Sequence, residues 1–267
     1  MRIKPPRLRA LPHLLLVLGS MAEAHWDYAL LWLRRRGKIT LEERADWLHR
    51  WCRTGMRRIK VEICSEGPQP QGGLLVANHL SYLDILTLSA TMPCLFVAKQ
   101  EIARWPLFGA FARKSGTIFI NRGKKSDVAR AGEALEAALK SGLPTVLFAE
   151  GTSSDGRAVL PFHSSLFEPA IAAGARITPA HVRYEAEECD VREEICYWGE
   201  MTLAPHLVNF AALRGVKAYW RFGKEGKRYS DRKEAAAKVR EAVLQLAAGE
   251  REANELVGSS SGSRTRC

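Results

Sequence analysis

Long apolar runs, paired cysteines and metal-ligand clusters are all missing from this 267-residue chain, and each absence removes a class of protein. The longest uncharged stretch near the N-terminus, Ala10 to Ala22, is short of the ~20 residues that a spanning helix needs. The six cysteines, at 52, 64, 94, 189, 196 and 267, contain no CxxC pair and no accompanying His spacing, so zinc and thioredoxin-like chemistry are unsupported. They read as reduced and mostly structural, which fits a reducing compartment or the cytoplasmic face of a membrane. The one Gly-x-Ser-x-Gly run, Gly258 to Gly262, lies in a Gly/Ser/Arg tail and follows no strand, which argues against a serine hydrolase elbow.

What is present is the composition of a folded body, 46% hydrophobic and 26% charged. The net charge is +11, and residues 1–60 hold fourteen Lys/Arg against five Asp/Glu. Trp26, Trp32, Trp47 and Trp51 share that stretch, and Trp favours the boundary between apolar chains and a wet headgroup layer. A basic, Trp-rich end suggests an anionic membrane surface as partner. The plainer alternative is a solvated basic face with core tryptophans; nucleic acid is disfavoured because no binding motif accompanies the charge. The N-terminus itself admits three readings. Ala22-Glu23-Ala24 resembles a signal-peptidase site after a basic n-region, and the apolar run could instead be a short span. The reading preferred is a helix lying in the interface, with Leu14 to Leu18 and Tyr28 to Leu33 against lipid and Arg34, Arg35, Arg36 and Lys38 at the headgroups.

Beyond residue 60, apolar segments alternate with helical ones. Strands are expected at Gly73–Ala77, Leu95–Ala98, Thr117–Ile120, Thr145–Ala149, Arg176–Tyr184, Ile195–Leu203 and Val216–Phe222. Helices are expected over Asp127–Lys140, capped by Ser126, and from Asp231 onward, where Ala236, Val239, Val243 and Leu246 form a stripe. This predicts an α/β fold: a mixed, largely parallel sheet flanked by helices. Three regions follow: a basic, membrane-contacting helical segment over 1–60, a single α/β domain over 61–257, and a disordered tail over 258–267.

The segment richest in chemistry is Asn78-His79-Leu80-Ser81-Tyr82-Leu83-Asp84, directly after a strand. Five helical steps leave His and Asp about 140° apart, so the two meet only if His79 lies in the turn and Asp84 in the first helical turn. There a carboxylate is favoured by the helix terminus, and it could fix the imidazole tautomer so that the other nitrogen takes a proton from an alcohol. Equally open on this segment alone is that Ser81 caps the helix, Asp84 completes the cap and His79 is a turn residue.

Three further segments tip the balance. Gly116-Thr117-Ile118-Phe119-Ile120-Asn121-Arg122, Phe148-Ala149-Glu150-Gly151-Thr152 and Ile177-Thr178-Pro179-Ala180 follow in order, with Lys99-Gln100-Glu101 between the first two blocks. Together the four blocks resemble the glycerolipid acyltransferase family, whose best-known members are lysophosphatidic acid acyltransferases. There are two departures: Ala149 stands where the third block usually has proline, and Ser153 where arginine is common. Loss of that arginine removes a planar phosphate ligand.

The resemblance implies an α/β acyltransferase fold and an O-acyltransferase that moves a fatty acyl group from acyl-CoA or acyl carrier protein to the hydroxyl of a lysophospholipid such as 1-acyl-glycerol-3-phosphate. In the same terms, His79 is the catalytic base and Asp84 its orienter, while Asn78, Lys99, Arg122, Glu150, Gly151 and Thr152 bind substrate. Lyso-ornithine lipid or lysophosphatidylcholine are the rival acceptors. Neither metal nor cofactor is required, the thioester donor being a co-substrate, and the expected location is the cytoplasmic face of a membrane.

Overall fold

The computed structural model of the chain describes residues 10–105, 108–120, 125–187, 189–224 and 226–259. Two helices come first, α1 (Ala10–Arg34) and α2 (Leu41–Arg58). The second opens with a capping box in which the Glu43 N–H donates to Thr40 Oγ1 and the Thr40 N–H to Glu43 Oε2. The helices are joined by polar atoms as well as by packing: Trp47 Nε1 donates to the Ala24 carbonyl at 3.1 Å and Trp51 Nε1 to Asp27 at 2.9 Å.

Then follow β1 (Glu62–Glu66), β2 (Leu74–Ala77), α3 (Leu83–Thr91), β3 (Leu95–Lys99), α4 (Phe108–Lys114), β4 (Ile118–Ile120) and α5 (Lys125–Lys140). The chain continues with β5 (Thr145–Phe148), α6 (Glu168–Ala172), β6 (Ile177–Glu185), α7 (Val191–Glu194), α8 (Leu203–Ala211), β7 (Lys217–Phe222) and α9 (Arg232–Ser259). The seven strands form one sheet in the order β1-β7-β6-β2-β5-β3-β4. Every pairing is parallel except β6 with β7. The expected mixed, largely parallel sheet is therefore present. The strands β2 to β6 all end on one edge, the usual place for a site in such sheets.

Central β2 is buried on both faces, which is why it reads as an unbroken apolar run. Leu75 and Ala77 face a core shared with α1, α2, α3 and α8; Leu74 and Val76 face a second core closed by α6 and by Ala235, Ala236 and Val239 of α9. A third cluster packs α5 residues Ala131, Leu135 and Ala138 on β3 and β4. Asp231 caps α9 through bonds to the N–H groups of Lys233 and Glu234.

Several expectations are corrected. Residues 195–202 are irregular, and α8 begins at Leu203 where a strand was expected. The run is apolar because it buries Ile195 and Cys196 against the core, and its backbone bonds to a loop: the Tyr197 N–H donates to Leu80 O. Conversely β1 was not anticipated; it is a short edge strand with one buried side chain, paired with β7 alone, and so carries little hydrophobic signal. Ser126 lies inside α5, which starts at Lys125. Helix α9 continues to Ser259, and the rest of the expected tail, 260–267, lies outside the described residues. Cys52, Cys94 and Cys196 are free thiols, but Cys64 is disulfide-bonded, against an entirely reduced set.

The first helix also differs in detail. Among the described residues no helix is long and apolar enough to cross a membrane. Ala24 of the signal-site lookalike is fully buried in the middle of α1. Tyr28, expected at lipid, packs edge-on against Trp47 at 5.0 Å, and Leu14 and Val17 turn inward to line a cavity. The outward face is Leu11, Leu15, Leu18, Trp26 and Leu33, all at least half exposed and following the helical repeat.

Candidate active site

The site begins where β2 ends. Asn78 sends its side-chain amide to the β6 backbone, donating to Val182 O at 2.9 Å and accepting from the Val182 N–H at 2.8 Å. This continues the β2–β6 pairing one residue beyond the strand with side-chain atoms, and it fixes where the chain turns. Asn78 is thus buried and fully engaged by the sheet; it does not face the cavity, contrary to the substrate-contacting position expected of it.

The turn places the next residue as the dyad geometry requires. His79 Nδ1 lies 2.7 Å from Asp84 Oδ2. Asp84 is fully buried in the first turn of α3, and its Oδ2 also accepts the Leu80 N–H at 2.7 Å and the Ser81 N–H at 3.0 Å. Its Oδ1 accepts the Tyr184 hydroxyl at 2.7 Å. An oxygen already accepting two backbone N–H groups is an acceptor toward the ring too, so Nδ1 carries the proton and Nε2 keeps its lone pair. The capping alternative is partly met as well, since Asp84 does bond back to the turn, but the Ser81 hydroxyl makes no cap. One carboxylate therefore serves the turn and the imidazole together.

The ring is held from below by Phe148, stacked at 4.1 Å and 13°. The sheet register explains this neighbour: Ala77 pairs with Phe148, so the residues just past each strand end lie side by side. For the same reason Glu150 meets His79, its Oε1 accepting the His79 N–H at 3.1 Å. Burial pushes the Glu150 carboxyl up to about 8, only partly opposed by the backbone N–H groups of His79 and Leu160. Glu150 thus grips the backbone of the turn from beneath it, and it does not line the cavity.

His79 is 19% exposed at its side chain, and what it faces is a cavity of about 680 Å³. The walls are overwhelmingly apolar and come from α1, α2, α3, α4 and α8, with Met21, Leu48, Met56, Phe108, Leu207 and Phe210 among them. Lys99, at the end of β3, together with Gly151 and Thr152, lines the same cavity, as expected of them. Gly151 holds φ +69°, the left-handed region that favours glycine, so it supplies the turn out of β5. Ser153, standing where an arginine was noted as common, donates its hydroxyl to Tyr197 O. Arg122 lies outside the described residues.

Sequence reasoning did not find Tyr184, whose hydroxyl reaches Asp84 from 100 positions away, nor Tyr197 and Trp198 of the irregular segment that lines the cavity. Strand order brings Tyr184 there, and the Tyr197 N–H bond to Leu80 O docks the irregular segment. Among the described residues no group of three or more His, Cys, Asp or Glu side chains could hold a metal ion.

Residues 58–183 match the family model described as Acyltransferase. The chain is 37% identical over 150 residues to the 1-acyl-sn-glycerol-3-phosphate acyltransferase of Neisseria gonorrhoeae, covering 52% of this chain and 59% of that protein. It is 40% identical over 147 residues to the lyso-ornithine lipid O-acyltransferase of Rhodobacter capsulatus, covering 53% and 52%. The chain thus spans between half and three fifths of the length of these curated relatives. The crystal structure of the 1-acyl-sn-glycerophosphate acyltransferase of Thermotoga maritima shares the fold, with a TM-score of 0.58 at 20% identity over 96% of this chain and 100% of that one. The matched segment, residues 58–183, holds the His79–Asp84 turn, the Glu150-Gly151 turn and strands β2 and β5 beside them, and over it the chain is similar to glycerolipid acyltransferases.

Proposed function

We propose that this chain transfers a fatty acyl group from acyl-CoA or acyl carrier protein to the hydroxyl of a lysolipid, with His79 as base and Asp84 as its orienter. The observation that carries the reading is the 2.7 Å His79–Asp84 pair standing at the wall of an apolar cavity of about 680 Å³. The free Nε2 removes the hydroxyl proton as the oxygen attacks the thioester carbonyl. The ester bond forms, the carbon–sulfur bond breaks, and the proton passes from the imidazolium to the departing thiolate. A thiolate leaves readily, so positioning and deprotonation of the alcohol are the main demands on the protein. No metal or cofactor takes part in this scheme.

The cavity suits a fatty acyl chain because its walls offer almost nothing to hydrogen-bond and much to exclude water. The acceptor headgroup is met by Lys99, Thr152 and the Gly151 turn, with Arg122 as the remaining cation of the expected set. On the relatives' names, 1-acyl-glycerol-3-phosphate is the leading acceptor. Lyso-ornithine lipid is the second reading, and a specific observation favours it: the Ser153 hydroxyl is committed to Tyr197 O, so this position offers no charge to a phosphate. The exposed stripe of α1, with Arg34, Arg35, Arg36 and Lys38 at its end, would rest on anionic lipid at the cytoplasmic face, leaving residues from 61 on as the acyltransferase domain. The test is a matrix of both donors against 1-acyl-glycerol-3-phosphate, lyso-ornithine lipid and lysophosphatidylcholine, with products identified by mass. Thioester-dependent product in one column names the acceptor; hydrolysis of the thioester without any ester product contradicts the reading.

A further inference from the structure

Behind Asp84, on the side away from His79, a row of buried polar side chains crosses from α3 to β6 and β7. Tyr184 donates to Asp84 Oδ1 at 2.7 Å. Trp220 Nε1 donates to Thr87 Oγ1 at 3.1 Å, and Thr87 Oγ1 lies 3.4 Å from the Tyr184 hydroxyl. All four side chains are buried, Thr87 and Asp84 completely. Proton accounting gives the row a direction. Indole N–H is donor only; the single Thr87 proton goes to Leu83 O at 2.9 Å; the single Tyr184 proton goes to Asp84. The 3.4 Å Thr87–Tyr184 contact is the weaker branch of the Thr87 donor, so Thr87 steadies the Tyr184 oxygen and the row relays no proton. It is a rigid brace that ends in a donor aimed at the carboxylate. Burial and the nearby Asp84 charge hold the Tyr184 hydroxyl well above its ordinary value, so it stays a donor throughout the working range.

The geometry points to Tyr184, braced through Thr87 and Trp220, as a positioning residue that holds Asp84 Oδ1 and thereby commits Oδ2 to His79. This deepens the proposed function and rests on its assignment of His79 and Asp84. A buried carboxylate lacking the Tyr184 donor would satisfy both oxygens from the His79 side, by rotation toward the ring or by a tighter pull on the Nδ1 proton. The residue falls one position beyond the segment 58–183 that matches the family model, and Trp220 lies further still, so of the brace only Thr87 is inside that match.

The test is Tyr184→Phe in the full chain, which keeps the ring and removes one oxygen, with Trp220→Phe and His79→Ala beside it. Besides Tyr184, the titratable groups facing the pair are Glu150 from the β5 end and Cys196 from the irregular segment, and neither is altered. For Tyr184→Phe we expect kcat to fall about tenfold with both KM values within about twofold, since an Asp84 no longer held at Oδ1 turns the ring away from its productive orientation while no contact to substrate is lost. The acid limb of the pH–rate profile should move upward by about half a unit, because a less engaged carboxylate stabilises the imidazolium more. A fluorinated tyrosine at 184, a stronger donor of the same shape, should move that limb downward. Trp220→Phe should cost under about threefold. Unchanged kcat in Tyr184→Phe, or a fall in activity with the acid limb unmoved by either replacement, overturns the proposal while leaving the pair in place. Full activity in His79→Ala would instead remove the pair, and the brace with it.

Discussion

Glu150 Oε1 accepts the backbone N–H of His79 at 3.1 Å, so this carboxyl group holds the chain of the residue whose ring is held by Asp84 and Phe148. The three supports come from the turn after β5, the first turn of α3 and the last residue of β5. The ring is left one free nitrogen, toward the cavity.

That arrangement makes stability depend on pH through Glu150. Its folded value of about 8 lies above the ordinary 4.5, so the folded chain keeps a proton that the unfolded chain releases. The contribution is full below about pH 4.5, declines by about 1.4 kcal/mol per unit as pH rises, and is gone above about pH 8. Glu150→Gln has no such proton. Denaturant titrations from pH 5 to pH 8 should show the wild type losing stability relative to this variant; parallel curves would mean the carboxyl is ionised in the fold.

Helix α2 offers a clean probe of the cavity. Gly55 lines it, and a Cβ built there meets nothing within 4 Å. Gly55→Leu should be neutral or stabilising by up to about 1 kcal/mol, since glycine is a poor helix former. The added side chain enters the cavity, so the longest acyl group accepted should shorten. A melting curve with a donor chain-length series checks both, and an unchanged length profile would place the acyl chain elsewhere.

Ser153→Arg restores the cation that is common at this position of the third block. If the acceptor headgroup lies here, turnover of 1-acyl-glycerol-3-phosphate relative to lyso-ornithine lipid should rise about tenfold through KM. Equal effects on both acceptors would show that the headgroup binds away from residue 153.

The outward stripe of α1 predicts a separable membrane contact. Replacing Leu15, Trp26 and Leu33 by Glu should abolish flotation with anionic vesicles and leave turnover of detergent-dispersed substrate largely unchanged. Undiminished flotation would assign membrane contact to another surface.

How much of this was legible in the sequence follows from how local each signal was. The strand β2, the turn and Asp84 lie within eleven residues, so spacing offered the dyad beside a plain helix cap, and the resemblance of the four blocks chose between them. The order of four blocks marked β5 and β6 as strands of the same domain, without their places in the sheet. Tyr184 was not legible, because a Tyr in a buried strand looks like core until β6 is known to lie beside β2. Residues 195–202 misled because aromatic and β-branched residues facing a cavity carry the same pattern as a strand facing a core. Asn78 and Glu150 were expected to bind substrate, whereas their side chains bond to Val182 and to the His79 backbone.

The most direct test of the central claim is kcat for His79→Ala against wild type, measured with the donor and acceptor pair that the wild type prefers and on protein shown to be folded. Removal of the base from a pair that touches the reacting hydroxyl should lower kcat by about 10²-fold to 10⁴-fold with an unchanged melting temperature. Equal rates in the two proteins would contradict the account, because the 2.7 Å His79–Asp84 bond would then be a feature of the turn alone.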